Sequence, residues 1–591
     1  LFRNKYLTFL LTFVFFTSAL FGNASFASAY EAGVYYTGEH DDQDAELVNH
    51  YFDIYWGWDV DYMTSHVDDI TASDLYEADF NDFVYISGHG WKDPCRIPIY
   101  ENNFWGFDYD EPLYVLEDDA EHDDGNENNF IVYDDEWERY LYETNTRWGN
   151  DEEDGNSVED LEWAVLAACS QLSYDYGNYK DWALAMCGEA RMHSIWGYPN
   201  TAPSGSKDYD VMLDFVLDLQ DGESIYKSWE NANIDNEWYE WAGVYHTANK
   251  WDCLWGFGDV EPDTDKNDEV NINYRWYGGF NNVYPASVQT SSKVLKNQYS
   301  EINVKTAIPE YPEELKPLLV KNEKLPDNQL AKDYAKMNVA KADFKIRHDG
   351  ARSYRDGSKL FEIYDSGAIR YHTVSEAVYG ELSKDPDDEQ ISEAGDDGSI
   401  SENCNDNESV SSQVYDDEEI SFDKEEAIAQ AREFISSIGG MPSDALAEPE
   451  IFVEKEVELN FDGGQENERI VEYGIVFRHD YDLPIRGQGD YIRVSINNNG
   501  VDSFFKHWSE PIGLAKKSQS IVPPETILEE IEKNVHKYVK LDQSVDITNM
   551  QLVYYSQYRN KKQTTLYPAW EIEFDRGYKI YVDAFTGKII D

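Results

Sequence analysis

Two short apolar runs constrain the fold more than anything else in the chain. Phe83-Val84-Tyr85-Ile86-Ser87 and Trp163-Ala164-Val165-Leu166-Ala167-Ala168 carry apolar residues at odd and even positions alike. A strand that alternates can leave one face in water, whereas a run apolar on both faces must be covered on both. The two runs therefore predict interior strands of a mainly parallel sheet with helices on both faces, an α/β fold. Each run also leads into reactive chemistry. The first continues Gly88-His89-Gly90, the second Cys169-Ser170. In open α/β sheets, chemistry gathers at the carboxyl ends of the strands. Side by side, these strands would bring His89 and Cys169 to one edge, an arrangement that suits a thiol nucleophile with a histidine base.

The surrounding sequence supports a domain over residues 30–290. Val34 to Tyr36 reads as a first strand and Asp44 to Trp56 as a helix. Asp82 to Ser87 and Trp163 to Ala168 are the strong strands, and Asp181 to Glu189 looks helical. Met192 to Tyr198 reads as the next strand. Tyr209 to Leu219 places Val211, Met212, Phe215, Val216 and Leu219 at helical spacing, and Ser224 to Asn233 forms another helix. The acidic, Asn-rich stretch 101–156 reads as a long insertion with little core.

Charge narrows the partners. The formal net charge is -69, and residues 30–290 hold 59 acidic against 11 basic side chains. Such a surface repels nucleic acid and anionic lipid. The preferred use of the acid is solubility in a salty or alkaline medium; calcium binding and steering of a cationic substrate are weaker readings. The runs 121–127 and 151–156 look like calcium loops, but neither has full EF-hand spacing, so a solvated acidic loop is the better reading. A structural Ca2+ is thus an option, no cofactor is required, and no metal ligand is assigned in the site. A metal centre from His89, Asp93 and Cys95 is disfavoured against a disulfide or buried thiol at Cys95.

The start of the chain reads as a signal peptide over residues 1–29. Arg3 and Lys5 form the basic region, Tyr6 to Phe21 the apolar one, and Ala27-Ser28-Ala29 the cleavage site. No later stretch is long and apolar enough to span a bilayer. The expectation is a secreted or extracellular protein, without membrane insertion and with an option of cell-surface association through a partner. Five cysteines, Cys95, Cys169, Cys187, Cys253 and Cys404, form an odd set. If Cys169 is the unpaired one, the other four allow up to two disulfides.

Residues 291–383 form a connector with a hairpin from Ser358 to Thr373 around Asp365-Ser366-Gly367. Residues 384–419, rich in Asp, Glu, Ser, Asn and Gly, read as an acidic disordered linker. Two α+β modules follow, 420–515 and 516–591, each opening with a helix and continuing in strands.

His-Gly after one hydrophobic strand and Ala-Cys after a later one, here His89-Gly90 and Ala168-Cys169, resemble the caspase-like cysteine peptidases: caspases, legumains, gingipains and clostripains. The same region resembles an uncharacterised family of secreted proteins that share these motifs and a strand like His193 to Tyr198. The last strands, Trp570 to Phe574 and Tyr581 to Lys588, resemble PepSY-type modules found in propeptides of secreted peptidases. The first resemblance implies a cysteine endopeptidase acting on protein or peptide substrates. Cys169 is then the nucleophile, His89 its proton partner, and the backbone N–H groups of Gly90 and Cys169 the oxyanion hole. Trp196 and Tyr198 are candidates to line a substrate pocket. The PepSY-like resemblance implies that the C-terminal modules restrain or chaperone the peptidase. The rival reading is a catalytically silent caspase-like scaffold that binds at a surface; a strand-end cysteine is commonly an inert core residue. Ser87 and Ser170, which flank the dyad, read as turn formers.

Overall fold

The computed structural model describes residues 30–36, 43–64, 81–88, 161–174, 177–186, 192–261, 272–279, 301–322, 327–373, 419–459, 467–534 and 545–590, apart from isolated positions, together with the course of a few two- to four-residue strands between 91 and 114 and at 293–296. His89, Gly90, the proposed signal peptide, the two acidic loop candidates and the 384–418 stretch lie outside the described side chains.

The N-terminal part is built as its apolar runs demand. Strands β1 (Glu31–Tyr36), β2 (Asp59–Thr64), β3 (Phe83–Ser87), β4 (Trp163–Ala167) and β5 (Ser194–Gly197) pair in the order β2-β1-β3-β4-β5, all parallel. Strands β6 (Ala242–His246) and β7 (Ile272–Gly279) continue the sheet antiparallel. Side chains alternate cleanly between two cores. Phe83, Tyr85, Trp163, Val165 and Ala167 face one, with helices α1 (Gln43–His50), α3 (Ser206–Gln220) and α4 (Ile225–Asp235). Val84, Ile86, Ala164 and Leu166 face the other, covered by α2 (Asn178–Ala185). Helix α4 is capped by Ser224, whose hydroxyl accepts from Lys227 N–H at 3.2 Å, a contact worth about 1 kcal/mol. Gly243 in β6 has a packing reason. A Cβ there would sit 2.1 Å from the ring of Trp196 on the neighbouring strand, so only glycine admits the indole.

Mainly parallel describes five strands, not the whole sheet. Beyond β7 the sheet continues into the C-terminal half, giving fifteen strands among the described residues. The added strands are β8 (Asp343–Ile346), β9 (Arg352–Asp356), β10 (Lys359–Ile363), β11 (Ile369–Thr373), β12 (Glu450–Glu458), β13 (Asn467–Phe477), β14 (Ile492–Asn497) and β15 (Gly500–Lys506). From β7 outward the order is β12-β13-β14-β15-β11-β10-β9-β8, all antiparallel. Helix α5 (Lys424–Ser437) covers this part and is capped by Asp423 on Glu426 N–H at 3.0 Å. A second sheet includes the strands Val545–Ser556, Thr565–Phe574 and Lys579–Asp583, with helix α6 (Pro524–Asn534) in contact with its core.

The halves are joined by buried ion pairs as well as by backbone pairing. Helices α3 and α4 present Asp214, Asp218 and Asp235, each 0 % exposed. Arg370 binds Asp218 through both terminal nitrogens at 2.9 and 2.6 Å and reaches Asp235 at 2.8 Å. Arg493 meets Asp235 at 2.9 Å and Arg559 meets Asp214 at 2.6 Å. Burial pushes the Asp235 carboxyl up, but Arg370, Arg493 and Arg559 outweigh it and hold it below the usual range. Part of the acid that the sequence suggests is solvated therefore faces arginines of the same chain.

Candidate functional site

The in-register pairing of β3 with β4 sets the site. Ser87 is directly opposite Ala167, so the residues that follow each strand leave the same edge of the sheet. Gly88 is buried at that edge; His89 and Gly90 lie outside the described residues. Cys169, two residues past β4, is a buried thiol. Its side chain continues the row of Trp163, Val165 and Ala167 and faces the α1/α3/α4 side. Its Sγ accepts the Ala202 N–H at 3.3 Å, and its carbonyl oxygen accepts from Gln171 Nε2 at 3.1 Å.

The turn after Cys169 is unusual. Ser170 has φ 61°, a left-handed conformation that side chains other than glycine, asparagine and aspartate seldom adopt. Its N–H donates to Asn200 O at 2.5 Å, and Leu172 N–H donates to Tyr198 O at 3.1 Å. The turn is thus fastened to the loop that follows β5, which also supplies Ala202. Ser170 serves as a turn former, in line with its reading from sequence.

Beneath the thiol lies a buried polar cluster that the sequence did not reveal. Tyr85 and Ser87 both donate to Asp44 Oδ2, at 2.7 and 2.5 Å. Burial, then Asp44 and Asp208, pushes the Tyr85 phenol well above its ordinary value. Tyr198 is raised likewise by burial, Asp208, Asp44 and Cys169. These groups therefore share one electrostatic neighbourhood, negative in sign. Asp44 and Asp208 come from the first turns of α1 and α3. Acidic residues at a helix start read as ordinary dipole partners, so no sequence signal separated these two from the rest.

The pocket candidates are placed inside the protein. Trp196 is 1 % exposed, stacked on Tyr226 and Tyr245 with its Nε1 donating to Ser194. Tyr198 is 0 % exposed and packs on Trp229. His193 sits at the other end of the strands, its Nδ1 2.6 Å from Asp252 and its ring edge against Trp163. Cys253 is also a thiol, so the four remaining cysteines do not form two bridges. Burial first, then Glu223 and Asp252, pushes it up to about 12, which leaves it unreactive.

The C-terminal half approaches this edge. Trp238 donates from Nε1 to Thr201 O at 3.1 Å and stacks on Tyr578, with ring centres 5.9 Å apart. Ser204 and Lys207 share a cleft with Lys579 and Tyr581. Residues of the last module thus back the loop that supplies the Ala202 N–H to the sulfur. Among the described residues, no helix is long and apolar enough to cross a membrane.

No family model and no curated protein matches the chain. Among solved structures, an uncharacterized protein from Eubacterium rectale ATCC 33656 is similar over 51 % of this chain and 94 % of its own, at 13 % identity and a TM-score of 0.29. YycH from Bacillus subtilis is similar over 67 % of this chain and 94 % of its own, at 9 % identity and a TM-score of 0.22. Similarity at this level establishes neither a shared fold nor a shared role.

Proposed function

We propose that the protein is a secreted cysteine endopeptidase of caspase-like type, in which Cys169 attacks a peptide carbonyl and His89 serves the leaving amine. The observation that carries this reading is the parallel, in-register pairing of β3 and β4, which ends both strands at one sheet edge, with Gly88 and Cys169 following them there; His89 is next in sequence after Gly88. A thiolate above the Asp44/Asp208 cluster needs a cation beside it, and an imidazolium at His89 supplies one. The N–H groups of Gly90 and Cys169 are the proposed oxyanion donors. The C-terminal, PepSY-like half is proposed to restrain the site through the packing of Tyr578 and Trp238 on the 198–205 loop.

A second reading is favoured by one observation. Cys169 is only 1 % exposed, which suits a silent scaffold that binds rather than cleaves. A thiol-directed peptide probe separates the two. In the endopeptidase, the probe labels Cys169 in the wild type, labelling falls at least tenfold in His89→Ala, and Tyr578→Ala speeds it. Cys253 provides an internal control that stays unlabelled in the folded protein. Labelling that is indifferent to His89, or seen only after unfolding, supports the silent scaffold.

A further inference from the structure

A row of polar groups crosses three strands at the seam between the halves. Tyr277 of β7 is paired with Glu454 of β12, and Glu454 is paired with Glu472 of β13. Like charges directly opposite on neighbouring strands repel, and here the pair is buried, with Glu454 0 % and Glu472 2 % exposed. Helix α4 adds Glu230, 3 % exposed. One carboxylate oxygen from each of the three glutamates lies within 4.8 Å of the other two.

The cations at hand do not neutralise this group. Lys227 meets Glu230 at 2.7 Å and Asp502 at 3.1 Å, and Arg275 meets Glu454 at 2.6 Å. The next carboxylate along β12, Glu456, has its own partners in Lys250, Arg469 and Tyr245. Four carboxyl groups, Glu230, Glu454, Glu472 and Asp502, therefore face two cations, Lys227 and Arg275, and this excess of carboxyls is costly to ionise: burial raises Glu454 to about 7 and pushes Glu472 well above its ordinary value. Independent of that excess, oxygens around the cluster lack partners. The Tyr277 hydroxyl, on a residue 1 % exposed, has no hydrogen-bond partner, and neither has Oε1 of Glu472 or Oε2 of Glu454. Tyr277 lies in the field of all three glutamates as well as of Arg493. Gly474, two residues past Glu472, keeps the room: a Cβ there would fall 1.9 Å from the Tyr277 oxygen.

We infer that Glu230, Glu454 and Glu472 form a binding site for a hard divalent cation of calcium size, with the Tyr277 hydroxyl beside it, at the seam of the two halves. Oxygen-only donors exclude soft metals, and ligand oxygens on opposite sides of a Ca2+ stand about 4.6–5.2 Å apart, twice the usual Ca–O distance. Mg2+ asks for a tighter octahedron, about 4.0–4.2 Å across. None of its ligands belongs to the acidic runs 121–127 and 151–156; they come from both halves of the chain, so the ion would bridge them. It does not depend on the peptidase reading.

The test uses the full chain freed of metal with a chelator and titrated with Ca2+ by calorimetry. Emission from bound Tb3+, excited through the nearby tyrosines, serves as a second signal. The expected result is one stoichiometric Ca2+ site in the wild type, weakened at least tenfold in Glu472→Gln and in Glu454→Gln and unchanged in Glu425→Gln, an exposed control. Ca2+ should displace the sensitised Tb3+, and Mg2+ should compete poorly. Equal Ca2+ binding by wild type and Glu472→Gln would overturn the site, since surface acid would then account for it. A folded wild type that takes up no Ca2+ overturns it too and leaves protons as the neutralising partner.

Discussion

Ser170 holds a backbone conformation that costs most side chains energy, and it does so one residue after the candidate nucleophile. Strain of this kind persists where neighbours over-determine it, here the bonds from Ser170 to Asn200 O and from Leu172 N–H to Tyr198 O. Ser170→Val should lower stability by about 1–2 kcal/mol, because a β-branched side chain tolerates that φ poorly, whereas Ser170→Gly should stay near wild type. Urea melts of the two variants check this; equal losses would mean that the serine hydroxyl, not the backbone, is what matters. The residue scale also shows the limit of sequence reading. The Cys169 motif was legible because an apolar run ends at it. Asp44, Asp208 and Glu472 were not legible, since a buried carboxylate and a solvated one are the same letter in a chain this acidic.

Elements were read best where apolar periodicity was long. The runs at 83–87 and 163–167 and the helical spacing at 209–219 all became the elements their patterns specify, within a few residues at each end. The region 44–56 forms α1 followed by a wider π-type turn, Tyr51–Trp56, which periodicity does not distinguish from a helix. Gly243 breaks the pattern of β6, and the alternation of Asp59 and Asp61 with Val60 and Tyr62 in β2, a period-2 signal at an outer edge, spans only four residues. The sequence separates the modules, but the strands of the first one extend the main sheet; pairing across hundreds of residues leaves no local mark. Connections carry chemistry of their own. Between β13 and β14, His479 offers Nδ1 to Asp444 at 2.9 Å and Nε2 to Asp490 at 3.0 Å. Two carboxylate acceptors require both ring nitrogens to be donors, so the ring is an imidazolium. Burial lowers its value, but the bonds and charges of Asp490 and Asp444 win and raise it. The raised value means that folding favours the charged ring. Its contribution is therefore complete below about pH 6.5 and fades as the pH climbs through the raised value. Wild type should exceed His479→Gln by on the order of 2 kcal/mol at acidic pH, and the gap should narrow toward alkaline pH. A gap that widens with pH would show the ring to be neutral.

At the scale of the molecule, the chain passes between the two ends of its sheet. Strands β8 to β11 precede the 384–418 stretch and β12 to β15 follow it, yet the later four sit between β7 and β11, with an earlier strand on each flank. Asp235 adds to this, since it takes Arg370 from before the stretch and Arg493 from after it. Cutting an engineered protease site within 384–418 should therefore leave two fragments that co-elute on size exclusion in native buffer and part only in denaturant. Asp235→Ala, which removes the carboxylate that Arg493 meets and a second partner of Arg370 and Arg559, should cost about 3–5 kcal/mol and lower the denaturant needed to part them. Fragments that separate in native buffer would contradict the strand order.

That interleaving bears on how such a protein could be switched on. A prodomain appended to one margin of an enzyme can be shed after a single nick. A segment threaded through the middle of a shared sheet cannot leave without tearing both seams. Under the peptidase proposal, activation by a cut between the halves would thus yield a nicked heterodimer, its two polypeptides still clasped, and release of the thiol would come from a small rearrangement of the covering loop rather than from loss of the tail.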